Sequence, residues 1–204
     1  MMDVKVTAID ESLQDAKIKA TPGGLLYTLP QSVIWTAKGY GRQIMATAAV
    51  AALVVRPTTV AMATLFNNSG NKNYVIDRAF AHNLVGAANS VYGLWLCVHP
   101  VGMTAPTNDI TTARSSTNGG AANADGIFDN GATVLDNGWF PWGKSGHTVT
   151  VTTPGEQLEV DIAGRIILPP TAAISLHVVA DVTGATFTAG FHWYAVPESE
   201  LAIN

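Results

Sequence analysis

Apolar side chains occupy every second position in two neighbouring stretches of residues 174–195. Ile174, Leu176, Val178, Ala180 and Val182 alternate with Ser175, His177, Asp181 and Thr183. After Gly184, Phe187, Ala189, Phe191, Trp193 and Ala195 alternate with Thr186, Thr188, His192 and Tyr194. A period of two puts successive side chains on opposite faces of an extended chain. The pattern predicts two half-buried strands joined at Val182-Thr183-Gly184 as a β-hairpin, with Phe187, Phe191 and Trp193 facing the core.

Similar runs recur upstream between turn signals. Val60 to Phe66, Tyr74 to Leu84, Val91 to His99, His147 to Thr152 and Leu158 to Leu168 read as strands, and Asn67 to Asn71 as a loop. Leu25 to Trp35 is interrupted by Pro30 and reads as an irregular or edge strand, followed by a turn at Lys38-Gly39-Tyr40-Gly41. Ile44 to Val55 reads as a strand pair or a short helix; β-branched Val50, Val54 and Val55 favour strand in its second half. About eight strands and scarcely any helix predict an all-β chain, a single jelly-roll β-sandwich of antiparallel strands, with a simpler barrel or sandwich as the alternative.

Two segments depart from this rhythm. Asp3, Lys5, Asp10, Glu11, Asp15, Lys17 and Lys19 precede the punctuation Thr21-Pro22-Gly23-Gly24, so residues 1–24 read as an N-terminal arm and 25–204 as the jelly-roll domain. Asp10 would cap a short helix carrying Leu13, Ala16 and Lys17, and Leu13 and Ile18 are the arm's candidate apolar contacts. Residues 100–146, rich in Pro, Gly, Asn, Thr and Ser, read as a long inserted loop in which Asp129-Asn130-Gly131 recurs as Asp136-Asn137-Gly138. Loops of that length inside a domain are commonly functional or held by neighbouring chains.

Composition narrows the classes. Hydrophobic residues make up 48% of the 204 and charged ones 13%, which argues against disorder and for an exterior partly covered by other subunits. A net charge of -4, with 11 dispersed Lys and Arg, gives no electrostatic footprint for nucleic acid. The longest charge-free apolar run, 44–55, is shorter than the roughly 20 residues of a membrane helix. The polar opening residues predict a protein made in the cytoplasm without a secretory leader. Cys97, alone in Leu94-Trp95-Leu96-Cys97-Val98, excludes an internal disulfide and reads as a small buried hydrophobe.

Candidate chemistry is sparse. His82, His99, His147, His177 and His192 include no His-x-His or His-x-x-x-His pair, so no metal or other cofactor is expected. His177 and His192 fall on the non-core faces of their strands, where a satisfied hydrogen-bonding role is the favoured reading and a meeting across the hairpin or across a threefold axis the alternative. No Gly-x-Ser-x-Gly elbow is present, and Asp125, Asp129 and Asp136 read as turn residues in preference to a glycosidase pair or a calcium loop. No catalytic residue is assigned and no enzyme is expected. Trp139-Phe140-Pro141-Trp142-Gly143 is the most unusual string. Trp139 and Trp142 would plug the sandwich or anchor the loop on a neighbouring subunit; the alternative is a lectin-like site in which they stack on a glycan.

The series Gly155-Glu156-Gln157-Leu158, Arg165-Ile166-Ile167-Leu168-Pro169-Pro170, Ile174-Ser175-Leu176-His177 and Phe191-His192-Trp193-Tyr194, together with the hairpin-like stretch Asn67 to Asp77, resembles the accessory structural proteins of tailed-phage virions. Those proteins carry a single jelly roll like that of tumour necrosis factor. The resemblance covers roughly residues 55–196 and brings no catalytic residue. It implies a homotrimer that decorates or cements a capsid, or belongs to a tail or fibre, with the major capsid protein as a partner and the virion as its location. Tyr194, with His177 and His192, then belongs to the self-association surface.

Overall fold

The computed structural model describes residues 8–9, 15–16, 30–107, 113–122, 125–131, 138–148 and 157–201, with the side chains of 8–9, 15–16 and 143–148 left aside. The chain divides into two units, Met1–Ile34 and Trp35–Asn204. In the first, β1 (Ala8–Ile9) pairs antiparallel with β2 (Asp15–Ala16), Ala8 opposite Ala16. Ala16 is thus in a strand, where a short helix was expected. A helix of that length has too few bonds to offset its nucleation, whereas a ladder needs only two short segments. Leu13 and Ile18 lie outside the described residues.

Pro30 opens a helix. α1 (Gln31–Ala37) begins directly after it, with the Val33 N–H donating to Pro30 O at 3.0 Å. Leu25 to Trp35 is therefore not one irregular strand. Proline breaks a strand but suits a helix start, where its missing N–H has no partner to lose. The helix closes at Gly39, whose φ of +79° is the left-handed conformation common just past a helix end.

The remaining strands are β3 (Gly41–Met45), β4 (Val50–Ala51), β5 (Ala63–Phe66), β6 (Lys72–Val85), β7 (Ser90–His99), β8 (Arg114–Ser115), β9 (Ile127–Asp129), β10 (Trp139–Thr148), β11 (Gln157–Leu168), β12 (Ala173–Ala180) and β13 (Thr186–Pro197). They form a five-stranded sheet, β10-β7-β12-β5-β9, and a six-stranded sheet, β11-β6-β13-β3-β8 with β4 beside β13. β3 pairs with β13, β5 with β12, β6 with β11 and β7 with β10, all antiparallel. First pairs with last, second with next to last, and so inward: one long antiparallel ribbon rolled over on itself. That is a jelly roll.

The topology corrects two local expectations. β12 and β13 lie in different sheets, so the Gly184 turn (φ +103°) carries the chain across the sandwich instead of closing a hairpin. The Asn67 to Asn71 link likewise passes from β5 in one sheet to β6 in the other. Asn67 is wholly buried there and donates to Leu168 O at 2.8 Å and Lys72 O at 2.9 Å, while its Oδ1 accepts from Ser69 N–H. Alternation fixes which side chains face inward, and both strands of such a link face the same core, but it does not name the strand alongside.

The 100–146 segment is not a structureless loop. It holds β8, β9 and the first residues of β10, and β8 and β9 form sheet edges. Gly131 has φ +77°, as the turn reading of Asp129-Asn130-Gly131 requires. Between the sheets, Phe187, Phe191 and Trp193 are buried as the alternation predicts. Tyr92 meets Phe187 edge-on at 5.0 Å, and Phe128 meets Phe191 at 6.2 Å.

Candidate interaction surfaces

Residues of opposite parity to the core point away from it, and the two sheets treat them differently. On the five-stranded sheet, register sets Asp129, Thr64, Ser175, Cys97 and Trp139 side by side. All five are buried. The cover comes from the chain itself, in the link between β4 and β5. The Trp139 Nε1–H donates to Thr58 O at 2.8 Å, Gly131 N–H donates to Ala61 O at 2.8 Å, and Ala61 packs on Cys97 and Trp139. A Cβ at Gly138 would stand 2.8 Å from the Cys97 sulfur.

Under this cover Ser175, Thr64 and His99 satisfy one another. Ser175 Oγ lies 2.7 Å from Thr64 Oγ1 and 2.9 Å from His99 Nε2, and His99 Nδ1 lies 3.8 Å from Cys97 Sγ. Burial pushes His99 down to about 4, so its imidazole stays neutral, and burial pushes the Cys97 thiol up. A serine beside a histidine has the outline of a nucleophile and its base, yet the Ser175 hydroxyl is also held by Thr64 and has no exposed surface. The row is a sealed polar layer. His177, in register with Trp95, is buried on the same face; its Nδ1 lies 2.9 Å from Val178 O and so carries the proton.

The six-stranded sheet presents a second face. Gln157, His82 and Thr188 form one row, Glu159, Phe80, Gly190 and Met45 the next, and Asp161, Arg78, His192 and Gln43 a third. A Cβ at Gly190 would come within 2.6 Å of Phe80 Cζ, so the absence of a side chain there lets the Phe80 ring lie across the sheet. The ring meets His192 edge-on at 5.4 Å. Burial and the adjacent Arg78 charge both lower the pKa of His192. Arg78 pairs with Glu159 at 2.6 Å. Met45 is 49% exposed, and Gln43, Gln157 and Asp161 are exposed too. At one end Trp35 packs on Tyr194 at 5.4 Å.

The site residues expected from sequence scatter. His177 and His192 lie in opposite sheets, on opposite outer faces, and do not meet within the chain. Tyr194 shares the face of His192. Trp139 is buried and hydrogen-bonded, which removes it as a sugar platform; Trp142 is half-buried against the main core, and Phe140 between them is 65% exposed. Asp125 accepts from Arg42 Nε at 3.0 Å, Arg42 Nη2 at 2.5 Å and Lys72 Nζ at 2.6 Å, a cation-paired carboxylate and no calcium ligand. Asp136 lies outside the described residues. Among the described residues no three His, Cys, Asp or Glu side chains stand together as a metal site, and no helix is long and apolar enough to cross a membrane. Sequence reasoning missed Phe80 and Met45, although Phe80 sits between core-facing Ala79 and Ala81, a visible sign of an outward aromatic.

No family model matches the chain, and no curated protein matches it. Solved structures similar to it include the VP2 subviral particle of infectious bursal disease virus, at 16% identity over 81% of this chain and 41% of that one, with a TM-score of 0.10. The Gx strain of the same virus gives 13% identity over 80% and 39%, with a TM-score of 0.09. The chain thus spans about two fifths of either structure's length. At those scores the likeness decides neither fold nor role; the jelly roll rests on strand order.

Proposed function

We propose that this chain is a non-enzymatic structural protein of a virus particle, a capsid decoration or cement protein that assembles with copies of itself. The resemblance to tailed-phage accessory proteins supports reading the assembly as a homotrimer with the major capsid protein as its neighbour. One structural observation supports the reading: a jelly roll whose exterior keeps Phe140, Val55 and Val101 at 65%, 63% and 60% exposure in a chain with only 13% charged residues. An exterior that poor in charge and that rich in apolar side chains suits a protein buried against others. Residues 1–24 would then order on a neighbouring virion protein, and symmetry would multiply weak contacts.

The test is particle binding. A chain lacking residues 2–22 should keep its β-type circular dichroism and its oligomeric mass yet fail to occupy particles; retained occupancy would overturn the arm's role. The carbohydrate-binding alternative keeps only half-buried Trp142 of its two platforms. Glycan binding abolished by Trp142→Ala would establish it in place of the structural reading.

A further inference from the structure

We infer that a second copy of this chain covers the outer face of the six-stranded sheet, around Phe80, His192, Met45 and Gln43. The inference builds on the self-association proposed above and does not depend on the virion role. The molecule supplies its own standard of comparison. Outward residues at the middle of the five-stranded sheet include Thr64, Ser175, Cys97 and His177, uncharged and buried, with Asp129 buried at the β9 edge and residues 58–61 and Gly138 packed on Trp139 and Cys97. Outward residues at the centre of the six-stranded sheet have the same uncharged character, in Thr188, His82, His192 and Gln43, and add Phe80 and Met45. Yet Met45 is 49% exposed, and at the end of β6 Leu84 and Val85 are 43% and 48% exposed.

Size and charge both fit a copy of the chain. β11, β6 and β13 have 12, 14 and 12 residues, about 40 Å or more at ~3.3 Å per residue, and β3 adds a fourth strand. At about 4.8 Å per strand the three long strands cover roughly 40 by 14 Å, and the five residues of β3 bring the face to about 650 Å², on the scale of the ~800 Å² per partner that a stable complex buries. Its charges carry both signs: Arg78 pairs with Glu159 near Asp161 on the β11 side, and Arg114 stands opposite Gln43 on β8, which leaves Thr188, Gly190 and His192 of β13 neutral. A neutral centre brings no like charge against a second copy, whichever of that copy's surfaces it meets, and offers no excess charge to select an acidic or basic partner. The Phe80 ring, reaching over Gly190 and set against His192, is the kind of aromatic expected at the centre of a contact.

The experiment is light scattering after size exclusion, on the full chain at micromolar concentration, with circular dichroism to check folding. Wild type should run as an oligomer. Phe80→Glu with Met45→Glu should run as a folded 21.4 kDa monomer, with association weakened by about 100-fold or more, while Val182→Glu in the β12–β13 link, outside the rows of the face, changes nothing. If the double variant misfolds, Gln43→Glu with His82→Glu, which charges the same face and keeps Phe80 and Met45, should give the monomer. A monomeric wild type, or a folded face variant that keeps the oligomeric mass, overturns the inference. Binding to particles but not to itself also overturns it, since another virion protein then covers the face. An intact oligomer that ignores particles counts against the virion role alone.

Discussion

On the five-stranded sheet, Trp139, Cys97, Ser175 and Thr64 point away from the core and are buried; on the six-stranded sheet, Gln43 and Met45 point away from the core and are exposed, with Phe80 half-covered beside them. The difference is not one of strand pattern, because both sheets alternate. It arises from where the connections travel. The link between β4 and β5 folds back over the first sheet, brings Thr58 O to Trp139 and Ala61 to Cys97, and makes an outward layer into a second interior. Hydroxyls and imidazoles there must find partners inside the chain, and Ser175 serves Thr64 and His99 together. The open face has no such constraint, so its polar groups can face solvent or a partner.

Substitutions should separate the two faces sharply. Trp139→Ala removes a large buried ring and leaves a cavity, and urea denaturation should show a loss of about 3–5 kcal/mol. Phe80→Ala, an aromatic of the same outward parity, should cost about 1 kcal/mol or less in dilute monomer and show its effect in association instead. Similar losses for the two would erase the distinction between the faces.

Acid should act on the sealed face next. His99 is held at about 4 in the folded chain against an ordinary value near 6.5. Below about pH 6.5 the unfolded chain takes up a proton that the folded chain refuses. Stability therefore falls as pH drops from about 6.5 to about 4, by about 3 kcal/mol, and this contribution levels off below. Burial lowers His177 as well and adds to the same trend. Denaturation across that range should show the slope, and His99→Gln should flatten it.

Ser175→Ala comes third. It leaves His99 Nε2 and the Thr64 hydroxyl without their shared partner, at a cost of about 1–3 kcal/mol. Gln43→Ala on the open face should stay within about 0.5 kcal/mol. A neutral Ser175→Ala would mean that the sealed row is not holding the cover in place.

Much of this contrast was written in the alternation, and its decisive part was not. The parity of Phe187, Phe191 and Trp193 assigns the core face of β13 from sequence alone, and the near absence of charge among Thr186, Thr188, His192 and Tyr194 marks its outer face. Which strand lies alongside is not local information: β12 and β13 satisfy their period equally well in one sheet or in two. The contact of Ser175 with His99 depends on the register of β12 against β7, which no spacing in the chain displays. β8 and β9 escaped because strands of two or three residues pair through backbone groups and place few demands on side chains. Pro30 was ambiguous for a different reason, since the same ring that ends a strand can begin a helix.

The first-with-last pairing has a consequence for how the molecule is made. β13 sits in the middle of its sheet, between β6 and β3, yet it is the last of the described strands to be synthesised. Until residues 186–197 leave the ribosome, the long flank of β6 and the short β3 have no neighbour to join them, and contacts between distant parts of the chain make closure slow. A nascent or truncated product would expose those open ladder groups to other chains. Synthesis rate and temperature should therefore govern the soluble yield more strongly than the stability of the finished protein does.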